Sequence, residues 1–268
     1  MADVIALLTD FGTRDYFVGA MKGAILSINP RAQIVDITHE IAPQDVRAAA
    51  FTLRACYRDF PEKTIFVAVV DPGVGSERRA ILVETAGCFF AAPDNGLLSF
   101  IFDEAENGSD SSAADYRVFE LTEQKYFAEN VSRTFHGRDI FAPAAAHLSN
   151  GIEHGRFGRE IGDFVRFESS NPRRISANEI EGEIIRIDRF GNLVTSFESE
   201  NLPAKFILKV NETVVERHQK YYAEADRNGQ IFSIAGSAGF LEIAAFRDSA
   251  ERLLRAEVGQ KVLLRVEN

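Results

Sequence analysis

The sequence lacks most of the features that would tie it to a membrane, a nucleic acid or an oxidising compartment. No apolar run approaches the roughly 20 residues of a membrane span, and Met1–Asp10 has neither the basic segment nor the cleavage site of a secretory signal. Basic residues are in deficit: 30 Lys and Arg against 40 Asp and Glu give a net charge of -10. Phosphate recognition needs a basic surface, so nucleic acid is excluded as a partner, and an anionic membrane is a poor one. A cationic ligand is tolerated. Only two cysteines occur, Cys56 and Cys88, each in an apolar run, and they read as buried free thiols on a helix and a strand rather than as a disulfide or a nucleophile. A cytoplasmic address is expected. No internal repeat is evident. What is present is ordinary globular material, 46% hydrophobic and 26% charged over 268 residues, enough for one large domain or two smaller ones.

The first half alternates strand and helix signals. Val4–Leu8, Gln33–Ile37, Thr64–Val70, Ala80–Glu84, Phe89–Ala92 and Tyr116–Leu121 read as strands. Phe17–Ile28 has helical spacing and stops before Asn29-Pro30. Asp45 is placed to cap a helix whose Val46, Ala49, Ala50, Leu53 and Tyr57 share a face. Arg138–Leu148 reads as a helix, with Pro143 in its first turns and Gly151 past its end. This rhythm predicts an α/β fold with a mostly parallel sheet sandwiched by helices. The polar, small-residue stretch Glu104–Asp115 reads as a mobile surface loop. Beyond Asn171-Pro172 the texture changes to short strands (Ile184–Ile187, Phe206–Val210, Ile231–Ile234, Phe240–Ala244, Val262–Val266) separated by turns, with one short helix over Ser249–Ala256. That pattern predicts a small antiparallel β-barrel. The expected division is residues 1–170 and 171–268.

In an open α/β sheet, ligands bind beyond the carboxyl ends of the strands. Asp10, Asp36 and Asp71 mark three such ends. Each alone reads most simply as a turn former, but three in one sheet point towards a site. The run Asp71-Pro72-Gly73-Val74-Gly75-Ser76-Glu77-Arg78-Arg79 supplies two glycines, which permit close backbone approach. Its Arg78 is able to fold back onto Asp71; a tight hairpin with solvated arginines fits the spacing equally well. It is neither a phosphate loop nor a dinucleotide fingerprint. His136, at the start of a predicted helix, meets a positive dipole end that disfavours its protonation, although a lone histidine is more often structural. His39 is equally ambiguous. Asp10, Asp36, His39, Asp71 and His136 match no metal-ligand spacing, so no metal is expected. In the second half, Asp188-Arg189-Phe190-Gly191-Asn192 and Gly236-Ser237-Ala238-Gly239 read locally as turns.

Taken in order, Thr9-Asp10-Phe11-Gly12, Asp36-Ile37-Thr38-His39, Val70–Gly75, Asp94-Asn95-Gly96, Phe135–Pro143, Ile187–Asn192 and Ser237–Ala244 resemble the adenosine-forming S-adenosyl-L-methionine hydrolases, relatives of the fluorinating and chlorinating enzymes. The resemblance spans nearly the whole chain. It implies an N-terminal α/β domain, a C-terminal β-barrel, and a homotrimer binding S-adenosyl-L-methionine or adenosine between one subunit's N-terminal domain and a neighbour's C-terminal domain. It implies a hydrolytic triad at Asp71, Arg78 and His136. Asp10 falls where the family binds the ribose hydroxyls, Asp15 and Asp188 where it contacts the methionine part, Asn192 at the adenine edge and Ser237 at the methionine carboxylate; Glu242 joins this substrate-binding set. No cofactor is implied. The halogenating relatives carry tyrosine in place of Asp71, which favours water over halide as nucleophile. Ala238 replaces an arginine of the fluorinase, and Phe246 stands where many hydrolase relatives have asparagine, so that stretch is left out of the site. The rival expectations are a halogenase and a non-catalytic sensor of adenosine or S-adenosylmethionine.

Overall fold

The structure is a computed structural model that describes residues 4–85, 87–107, 116–168 and 171–267. The chain forms two compact units, Met1–Phe167 and Glu168–Asn268, each with its own core.

The first unit is built on six strands, β1 (Val4–Thr9), β2 (Gln33–Thr38), β3 (Ile65–Val69), β4 (Ala80–Thr85), β5 (Phe89–Pro93) and β6 (Tyr116–Glu120), in the order β2-β1-β3-β5-β4-β6. The ladders β1/β2, β1/β3 and β3/β5 are parallel, and those joining β4 to β5 and β6 are antiparallel. The sheet is therefore mixed. Successive strand residues point to opposite faces, and here both faces are covered, which explains the unbroken apolar runs. Ile5, Leu7, Ile65, Val67 and Val69 pack with Met21 and Ile25 of α1 (Phe17–Ile28) and with the alanines of α4 (Ala142–Ser149). Ala6, Leu8, Phe66, Ala68 and Val70 pack with Ala49 and Leu53 of α2 (Val46–Cys56) and with Ile101 and Phe102 of α3 (Ser99–Asn107).

Asp45 caps α2 by accepting from the Ala48 amide at 2.9 Å. Where a single long helix is expected over Arg138–Leu148, the chain makes a wide π-type turn at Gly137–Phe141 before α4 begins. Glu104–Asn107 are helical, not loop: Glu104 accepts from Tyr57 Oη at 2.7 Å, and Arg54 and Arg58 approach the same carboxylate. The remainder of the expected mobile loop, 108–115, lies outside the described residues. Cys56 ends α2, and Cys88 lies just before β5. Both are free, and burial, with a contribution from Asp59, pushes the Cys56 thiol up to about 11.

The second unit is a curled half-barrel. Its strands are β7 (Arg173–Arg174), β8 (Glu179–Ile187), β9 (Leu193–Glu198), β10 (Phe206–Val210), β11 (Thr213–Val215), β12 (His218–Gln219), β13 (Ile231–Ala235), β14 (Phe240–Ala245) and β15 (Lys261–Val266), with one short helix, α5 (Ala250–Leu254), capped by Ser249. The path β11-β10-β15-β8-β9-β14-β13-β12 is open, and no ladder joins its ends among the described residues. Its ladders are antiparallel except β12/β13. Among the described residues, no helix is long and apolar enough to cross a membrane.

Candidate active site

The four parallel neighbours β2, β1, β3 and β5 end on one edge of the first sheet. There they deliver His39, Asp10, Asp71 and Asp94 side by side in the strand order. The seven residues after Asp71 fold back through consecutive turns: Val74 N–H donates to Asp71 C=O (3.2 Å), Ser76 N–H to Gly73 C=O (3.1 Å), and Arg78 N–H to Ser76 Oγ (3.2 Å). This winding returns Arg78 to Asp71. Arg78 Nε lies 3.0 Å from both carboxylate oxygens, and Nη2 donates to Oδ2. The pair is shielded, with 5% of the Asp71 side chain and 11% of the Arg78 side chain exposed.

The same Nη2 sits 2.9 Å from His136 Nδ1. A guanidinium only donates, so Nδ1 must accept, and the neutral imidazole then carries its proton on Nε2. Burial first, and then the Arg78 charge, push His136 below the usual histidine range and keep it neutral. Arg78 also lies 5.4 Å from the centre of the Phe141 ring. Two close approaches hold the loops in place. A Cβ on Gly75, whose φ is +77°, would overlap the Arg133 carbonyl. Phe135 N–H donates to Ser132 Oγ, and Ser132 N–H to the buried Asp139, which Arg138 pairs at 2.6 Å.

Arg79 turns the other way from Arg78. It donates to Asp94 Oδ2 at 2.9 Å, while Asp94 Oδ1 accepts from Val165 N–H at 2.7 Å; Asn95 Nδ2 donates to Val70 C=O at 2.9 Å. The Asp94-Asn95-Gly96 motif thus anchors the strand ends. Asp10 Oδ2 accepts from Gln44 N–H at 2.8 Å. Asp15 is exposed on the turn before α1. Among the described residues, no three His, Cys, Asp or Glu side chains are arranged to hold a metal ion.

In the second unit, Asp188 organises its own turn: Oδ1 accepts from Phe190 N–H and Asn192 N–H at 2.8 Å each, and Oδ2 from Asn192 Nδ2 at 2.9 Å. Gly191, at φ +80°, abuts Ser249 so closely that a Cβ would overlap its hydroxyl. Sequence reasoning missed Tyr222, which joins these candidate residues. Its hydroxyl donates to Glu242 Oε2 at 3.2 Å and lies 3.4 Å from Asn192 Nδ2. Burial, and then the Glu242 charge, push its phenol up to about 12; burial also raises the Glu242 carboxyl, against the Tyr222 bond. Asp188, Asn192, Tyr222 and Glu242 therefore form one polar cluster. Ser237 stands exposed in the Gly236–Gly239 turn, outside it.

Comparison with known proteins places this geometry in a lineage. Residues 5–158 match the SAM hydroxide adenosyltransferase N-terminal domain, and residues 182–263 the corresponding C-terminal domain. The chain is 34% identical to an (R)-S-adenosyl-L-methionine hydrolase of Methanocaldococcus jannaschii, over 95% of this chain and 93% of that one. It is 30% identical to a fluorinase of an Actinoplanes species over 74% and 73%. A crystal structure of an uncharacterised conserved protein from Thermotoga maritima superposes with a TM-score of 0.87 at 34% identity, covering 97% of this chain and 99% of that one. With both domains matched in chain order and a relative alike over nearly its full length, the chain belongs to the SAM hydroxide adenosyltransferase family.

Proposed function

We propose that this protein hydrolyses S-adenosyl-L-methionine to adenosine and L-methionine, with Asp71, Arg78 and His136 handling the attacking water. The observation that carries this reading is the bonded array in which Arg78 grips the Asp71 carboxylate and donates to His136 Nδ1. The water oxygen attacks ribose C5′ as the C5′–S bond breaks. The electron pair of that bond goes to sulfur, leaving neutral methionine. A sulfonium leaves without an acid, so the protein's work is to place one water in line behind C5′ and exclude its competitors. The water's proton goes to Asp71, because the accepting nitrogen of His136 is already occupied by Arg78. His136 acts by fixing Arg78, and through it the carboxylate.

In the same reading, Asp10 meets the ribose hydroxyls through Oδ1, its Oδ2 being held by Gln44. Asp15, Asp188, Asn192, Ser237 and Glu242 receive the methionine and adenine parts. In this reading the N-terminal α/β domain (1–170) works through the parallel part of its helix-sandwiched sheet, and the C-terminal half-barrel (171–268) serves as the small barrel domain of the family. The chain works in the cytoplasm as a homotrimer, each substrate lying between one subunit's N-terminal domain and a neighbour's C-terminal domain. The test is to incubate the purified protein with S-adenosyl-L-methionine, resolved into its two epimers at sulfur because the archaeal relative is named for the (R) form. Adenosine and methionine in equal amounts support the proposal. A halogenated nucleoside in the presence of chloride, or binding of adenosine with no turnover, overturns it.

A further inference from the structure

His39 takes no part in the array around Asp71, yet it is one of the few polar side chains that the first unit buries, with 4% of the residue exposed. It follows β2, whose register with β1 shifts between Leu7 and Leu8; this irregularity brings the ring beside Thr9 at the end of β1. His39 Nδ1 lies 2.8 Å from Thr9 Oγ1, and Thr9 Oγ1 accepts from Phe11 N–H at 3.2 Å. On its other side, His39 Nε2 lies 3.1 Å from Asp36 Oδ1, off the angle of a formed hydrogen bond. Asp36 is in turn bound by Lys22 Nζ at 2.6 Å.

In the neutral ring these contacts select one tautomer. A bare Nε2 lone pair facing the Asp36 carboxylate would be repelled, so Nε2 carries the proton and Nδ1 accepts from the Thr9 hydroxyl. The Thr9 oxygen keeps a lone pair for Phe11 N–H. Meanwhile the His39 backbone carbonyl accepts from Gly12 N–H at 2.7 Å, with Gly12 at φ +67°. Asp10 is therefore followed directly by two backbone amides, Phe11 and Gly12, that answer to one histidine, the first through Thr9. Its own Oδ2 is bound by Gln44, itself in the left-handed region at φ 68°.

We propose that His39 is a positioning residue for substrate: through Thr9 and the Phe11 and Gly12 amides it sets the orientation of the Asp10 carboxylate, and so the affinity for the ribose hydroxyls. The inference rests on the hydrolase reading above and extends it to a residue that touches neither substrate nor water. It predicts a loss in binding rather than in chemistry, because the Asp71 array hangs from a different strand.

The experiment compares Thr9→Val, His39→Leu, His39→Asn and the Thr9→Val/His39→Leu double variant with wild type, measuring adenosine Kd by calorimetry, and KM and kcat for S-adenosyl-L-methionine. Thr9→Val and His39→Leu are each expected to raise Kd and KM about tenfold, the effect of one lost hydrogen bond, with kcat changed less than about threefold. The double variant is expected to match the single ones rather than their product. His39→Asn, whose side-chain oxygen replaces Nδ1 as acceptor, is expected to return Kd to within about threefold of wild type. If His39→Leu does not fold, Thr9→Val and His39→Asn carry the test. An unchanged Kd in Thr9→Val, effects that multiply in the double variant, or a loss confined to kcat each overturns the assignment while leaving the hydrolase reading in place. A wild-type protein that neither binds adenosine nor turns over substrate overturns both.

Discussion

Replacing Asp71 with asparagine keeps the size and shape of the side chain and removes its charge, which separates what that charge does for stability from what it does for turnover. With the two side chains only 5% and 11% exposed, Arg78 cannot recover full hydration when its partner is neutralised. Removing one member of a buried pair costs about 3–5 kcal/mol because the other charge is left uncompensated. Asparagine retains one carbonyl oxygen to accept from Arg78, so the expected cost is at or below the low end, about 2–3 kcal/mol. For a chain of this size that corresponds to a fall in Tm of about 4–12 °C, read by calorimetry. The loss of a proton acceptor should lower kcat by about 10²–10⁴-fold, measured as adenosine formed per enzyme at saturating substrate. The adenosine Kd should stay within about threefold, since Asp71 bonds Arg78, and only through it His136, rather than ribose in the proposed site. A folded variant with kcat reduced less than about tenfold would refute Asp71 as the proton acceptor. An equal loss of adenosine affinity would refute its separation from the binding residues.

Three further outcomes follow from the same geometry. His136→Asn presents an oxygen where Nδ1 accepts from Arg78, so kcat should fall less than about tenfold, whereas His136→Ala should fall by about 10²-fold or more; equal losses of the larger size would make His136 the base instead. Gly75→Ala forces a Cβ onto the Arg133 carbonyl at a left-handed φ, so it should cost about 2 kcal/mol or more and lower kcat by displacing Arg78 from His136; wild-type Tm and kcat would refute the close packing of these loops. His136 and His147 are both pushed down by burial, so the unfolded chain binds more protons than the native one. Their contribution to stability is complete above about pH 6.5 and is lost as pH falls from there through the lower folded-state values; removing both histidines should flatten the denaturation midpoint over that interval.

How much of this is legible in the sequence varies with how local the determining contacts are. Phe17–Ile28 reads correctly as a helix because its signals, the apolar spacing and the stop at Asn29-Pro30, all lie within the segment. The folding back of Arg78 onto Asp71 is a permitted expectation for a seven-residue span with two glycines, but the hairpin with solvated arginines fits the same spacing; only the Asp94 and Asp163 carboxylates that draw Arg79 the other way separate the two. Strand β9 escapes an apolar-run reading because Thr195 and Ser196 interrupt it. Both are buried all the same, Thr195 donating to Leu241 C=O at 2.6 Å and Ser196 accepting from Glu183 N–H at 3.1 Å. Glu104–Asn107 read as loop because their composition is polar, but the partners that make them helical surface, Tyr57 and Arg166, lie far away in sequence. Tyr222 carries no motif at all. It reaches Glu242 from a short turn, Tyr222–Glu224, in a region with no periodic signal.

The proposed site is thus assembled from two kinds of information. The acids come from strand ends, where a buried β-branched run must stop and turn, and such ends are visible as composition. The arginine and histidine come from loops, and their placement depends on a backbone approach that only glycine allows, Gly75 against the Arg133 carbonyl, with Gly137 close against the Met21 and Phe135 side chains. Arg78 is where the two meet, held by Asp71, by His136 Nδ1 and by the face of Phe141. In the proposed reaction, a cation fixed on three sides has little left to reorganise when a water loses its proton beside it, and preorganisation of this kind is how fixed charges lower a barrier. Lysine would keep the charge but not the fork that reaches carboxylate and imidazole at once, so the array requires guanidinium geometry as well as its charge.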